Sequence, residues 1–123
     1  MADVPKQRRV GLMDKAVSAA DAGVAQIEAL SNSGNPDIAA DAMAELVDAG
    51  NARDDLAVIR ALIGNKPENA LRPVSDADLA QLEALEIAID ARVRNNQLIT
   101  AGLTAATDII ETAQSVGQIL KEA

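Results

Sequence analysis

Apolar residues make up 49% of the 123, alanine alone supplies 26, and Phe, Tyr, Trp, Cys and His are all absent. That excludes disulfides, His or Cys metal ligation, Ser-His and Cys-His nucleophile chemistry, and any aromatic platform for bases. The formal charge of −8 is uneven: Lys6, Arg8, Arg9 and Lys15 outweigh Asp3 and Asp14 at the start, and acids dominate the rest.

Alanine has the best helix propensity and lets helices approach closely, and no stretch shows the β-branched and aromatic alternation of a strand. The expected class is all-α: one domain over residues 1–123, a bundle of three N-terminal helices and one long, coiled-coil-like C-terminal helix. Residues 1–9 form a basic start, expected to be a solvated or frayed helix end or to meet an acidic surface.

The first helix is expected near residues 8–33. Val10, Met13, Val17, Ala20, Val24 and Ile27 alternate at spacings of three and four, which lines one face. Ser31-Asn32-Ser33-Gly34-Asn35 ends it. Asn35-Pro36-Asp37 then reads as an N-cap, a proline in the first turn and an acid facing the helix dipole. A second helix over 36–50 carries Ala39, Met43, Leu46 and Val47 and stops at Gly50. A third over 52–63 starts from a cap at Asn51 and presents Leu56, Ile59, Leu62 and Ile63. Residues 64–74, with Gly64, Pro67 and Pro73, form a loop between two helical halves that Leu71 pins to the core.

Ser75-Asp76-Ala77-Asp78 opens the C-terminal helix as a variant capping box. From Leu82 to Leu120 the heptad alternation persists: Leu82, Leu85, Ile89, Arg92, Asn96, Ile99, Leu103, Ala106, Ile110, Ala113, Gly117, Leu120. Arg94-Asn95-Asn96-Gln97 offers a place for a break, but an inserted loop usually shifts the phase and here it is kept, so one helix over 76–121 is expected. Within it, Ile99, Leu103, Ala106, Ile110 and Ala113 are the candidate contacts for a second copy, the intrachain core being the competing use. Arg92 and Asn96 interrupt the apolar seam, and such residues can fix register and partner number.

No catalytic, cofactor or metal site is expected. Glu83, Glu86 and Asp90 share a helix face and Asp54 adjoins Asp55, but each fits a solvated stripe. Helical di-metal sites would want Glu-x-x-His. Asp76 and Asp78 lack the rest of a calcium loop, and Gly64-Asn65-Lys66 the rest of a P-loop. The expected role is therefore a non-catalytic structural or protein–protein interaction module, self-associating through the C-terminal helix as a homo-oligomer. The alternative is a small carrier enclosing an apolar ligand or peptide, with an enzyme a distant third. So acidic a chain is not expected to bind nucleic acid or anionic lipid. With no run of 18 apolar residues and no Cys, it is expected in the cytoplasm and not in a membrane.

Overall fold

In a computed structural model, which describes residues 3–96 and 102–122, the chain forms four α-helices. Helix α1 spans Lys6–Ser31 and buries Leu12, Met13, Ala16, Ala19, Ala20, Val24 and Ile27 along one face. That face is broader than the seam read from the sequence, because Val10 and Val17 lie at its edge and are only partly buried. From Lys6 onward the basic start is helical. It meets the acidic stripe of the chain's own third helix.

Helix α2 runs unbroken over Pro36–Asn65. Its start is as expected: the Asn35 side chain accepts from the Asp37 N–H at 3.0 Å and the Ile38 N–H at 3.4 Å, with Pro36 in the first turn. The division at Gly50 into helices over 36–50 and 52–63 does not occur. A mid-helix glycine costs only about 1 kcal/mol, and the inner face continues through it as Ala49, Ala52, Leu56 and Ile63, all buried. A glycine ends a helix by taking up positive φ, and no described glycine does so.

A 3-10 turn over Glu68–Ala70 follows. Leu71 is only partly buried, and the residue that pins this loop is Val74, 3% exposed. Helix α3, Asp76–Asn96, opens with the Ser75 hydroxyl accepting from the Asp78 N–H at 3.0 Å. Helix α4 covers Leu103–Glu122. The single helix over 76–121 is thus replaced by two. Unbroken, it would extend about 69 Å, against about 39 Å for the 26 residues of α1, leaving much of its apolar face uncovered. Phase gave no warning because Asn96 and Leu103 are one heptad apart.

Helices α1 and α4 form the central pair, and α2 and α3 each pack against both but scarcely against each other. Ion pairs report the directions. Arg60 and Arg53 of α2 meet Asp14 and Asp21 of α1, so these two helices are antiparallel. Arg8 and Lys15 of α1 meet Glu86 and Asp90 of α3, so those two are parallel. The bundle is a rhombus in section, with α2 and α3 at its far corners. Its core consists of Leu12, Met13, Leu56, Leu82, Ile89, Ile109, Val116 and Leu120 around small residues. Each of these large side chains contributes about 1.5–3 kcal/mol on burial.

Candidate interaction surface

The residues singled out in the C-terminal seam lie mostly inside this core. Ala106 and Ala113 are fully buried and Ile110 is 5% exposed, while Leu103 packs at the edge of the cluster around Val24 and Ile27. Ile99 lies outside the described residues. What holds these side chains is α1: a Cβ placed on Gly23 would lie 2.7 Å from Ile110 Cγ1 and 2.9 Å from the Ala106 carbonyl oxygen. At Gly117 an added Cβ would meet Leu56 Cδ2 at 2.6 Å. The recurrence of small residues along α4 therefore serves close approach to α1 and α2. In this fold Ala106, Ile110 and Ala113 pack within the chain itself, and Leu103 lies at the edge of the same packing.

Arg92 sits at the α3–α4 junction, its Nη1 3.6 Å from Asp108 Oδ2 of α4. The polar seam position thus ties two arms of one chain together. The side chain of Asn96 lies outside the described residues.

Among the acidic candidates, Glu86 accepts from Arg8 at 2.8 and 3.3 Å and lies 3.6 Å from Lys15 Nζ. The Arg8 hydrogen bond outweighs desolvation and holds its carboxyl below the usual range, while the same bond raises Arg8. A general acid needs the opposite shift. Asp54 is paired with Arg53 at 3.3 Å. Among the described residues no group of three or more carboxylates is placed to hold a metal ion, and no helix is long and apolar enough to cross a membrane.

Arg9 is 1% exposed, donating from Nε to the Val4 carbonyl at 2.8 Å and from Nη2 to the Arg72 carbonyl. Burial pushes its pKa down. It stands beside Asp3 and Glu68, so this guanidinium staples the start of the chain to the 66–75 loop.

The unusual surface is the outer side of α2. Met43, Val47, Val58 and Leu62 are 62%, 69%, 57% and 56% exposed. At 100° per residue they fall within one arc of about 100°, directly opposite the buried Ala42, Ala49, Leu56 and Ile63. Ala40, Ala44 and Ala61 share that exposed side, and Asp54, paired with Arg53, is the charge within it. The equivalent corner helix α3 presents Glu83, Asp90 and Arg94 outward, with one large apolar residue, Ile87. Along one shoulder of the α2 stripe run Asp37, Asp41, Asp48 and Asp55, all exposed.

The sequence held the signal for this surface, but only if 36–65 is taken as one helix. Split at Gly50, Met43 and Val47 read as one core face and Leu62 as part of another. Beside the stripe, Val58 and Leu62 join Leu56 and Ile59 of α2 and Gln114 and Gln118 of α4 around a groove of about 420 Å³. Against protein-family models, curated proteins and solved structures, the chain matches none.

Proposed function

We propose that this chain is a non-catalytic protein–protein interaction module that docks through the outer face of α2. The observation that carries the reading is a helix apolar on two opposite sides at a corner of the bundle where only one side is covered. Singly exposed aliphatics are ordinary, but four large ones aligned on one helix face, interrupted there by Asn51 and Asp54, mark a contact surface. A helix with a second apolar side is covered on that side only when a partner supplies the cover. The Asp37–Asp55 shoulder opposes an anionic membrane or nucleic acid as that partner. Association through the C-terminal seam, expected from the sequence, gives way to α2 because the seam is spent on the core.

A photo-crosslinking residue placed at position 47, in the cells that make the protein, is expected to yield an adduct of discrete mass. The same residue at the exposed, polar position 81 is the control and is expected to yield none. Equal labelling from both positions, or none from position 47, would overturn the reading.

A further inference from the structure

We propose that the occupant of the α2 stripe is a second copy of this chain, docked antiparallel about a two-fold axis between Ala52 and Arg53. The proposal rests on the docking reading above and names its partner. A two-fold interface must be self-complementary: whatever stands a given distance before the axis meets whatever stands the same distance after it. The stripe satisfies this position by position. Met43 and Leu62 are equidistant from the axis, as are Ala44 and Ala61, Val47 and Val58, and Asn51 and Asp54. At the centre of the face Val47 therefore meets Val58, and each Asp54 carboxylate lies level with an Asn51 amide that can donate to it instead of another carboxylate. Toward the edges Met43 lies beside Ala61 and Leu62 beside Ala44. All eight residues are exposed.

The dimensions agree with this occupant. From Ala40 to Asn65 the face is about 39 Å long on a cylinder about 10–12 Å across; half the circumference, the apolar arc of about 100° together with its polar rim, offers roughly 600–700 Å². Two copies together would bury about 1,200–1,400 Å², within the range of stable interfaces. A parallel pair would instead stack Asp54 on Asp54.

The chain has no cysteine, so single cysteines report the arrangement directly. Val47 and Val58 are exposed, and circular dichroism of Val47→Cys and Val58→Cys is expected to match the parent. Treated with a short bismaleimide, a mixture of the two differently tagged variants is expected to give the mixed covalent dimer at least tenfold faster than either alone. In the antiparallel pair the two copies of position 47 stand 11 residues apart along the axis, about 16 Å. Self-linking of Val47→Cys as fast as the mixture, or a mixture that links no faster than a Gln81→Cys control, overturns the proposal. The docking reading fails separately. An adduct between position 47 and a different protein would leave it standing while the second copy fell, and no adduct at all would remove both.

Discussion

Gly23 shows how little space separates α1 from α4, since the nearest obstacle to a methyl there includes the backbone oxygen of Ala106 at 2.9 Å. A carbonyl in a packed helix cannot swing aside as the end of a leucine can. Gly23→Ala is expected to cost about 1–2 kcal/mol, overpacking exceeding the gain in helix propensity. Gly11 is the contrast, with nothing within 4 Å of an added Cβ on an exposed turn of the same helix. Gly11→Ala is expected to gain about 0.5–1 kcal/mol. Urea midpoints of the two variants, measured side by side, should move in opposite directions; movement in the same direction would contradict the packing described for Gly23. The sequence already showed small residues recurring near Ala106 and Gly117. It could not show which helix came close, because a small residue advertises room and not its occupant.

At the scale of elements, local signals were legible and long-range ones were not. The Asn35 and Ser75 caps, the proline-containing connection and the apolar face of α1 follow from chemistry within a few residues. Both errors concerned continuity. Gly50 read as a stop because propensity is local, whereas burial of Ala49, Ala52 and Leu56 against the bundle carries α2 through it. Residues 76–121 read as one helix because the phase was preserved, whereas chain reversal lets α4 lie against α1. The same long-range logic places the basic start of α1 beside the acids of α3. Arg8 and Glu86 are half-exposed and partly exposed, so their pair contributes no more than about 1 kcal/mol. Glu86 titrates below its unfolded value near 4.5, so that contribution is fully present above pH 4.5 and is lost as pH falls through the lower folded value. The stability difference between the parent and Glu86→Gln should accordingly shrink between pH 6 and about pH 3. A difference constant across that range would show that the pair does not act through the Glu86 charge.

For the whole molecule, the absence of rings and thiols has a consequence for surface as well as core. The bundle fills its interior with alanine and mid-sized aliphatics, and α1 and α4 at the centre are covered on most sides. The two corner helices then differ in what they turn outward. Helix α3 shows charge, and α2 shows Met43, Val47, Val58 and Leu62. The fold class was legible from composition alone. The surface was not, since it needs both the continuity of α2 and its position at a corner that no other helix covers. The central claim is that this face is covered by a second copy of the chain, and the most direct test is mass in solution. Sedimentation equilibrium of the parent chain is expected to give twice the 12.7 kDa of one chain, falling to a single chain in the folded Val47→Glu/Val58→Glu variant. A parent that sediments as one chain at every concentration, indistinguishable from that variant, would contradict it.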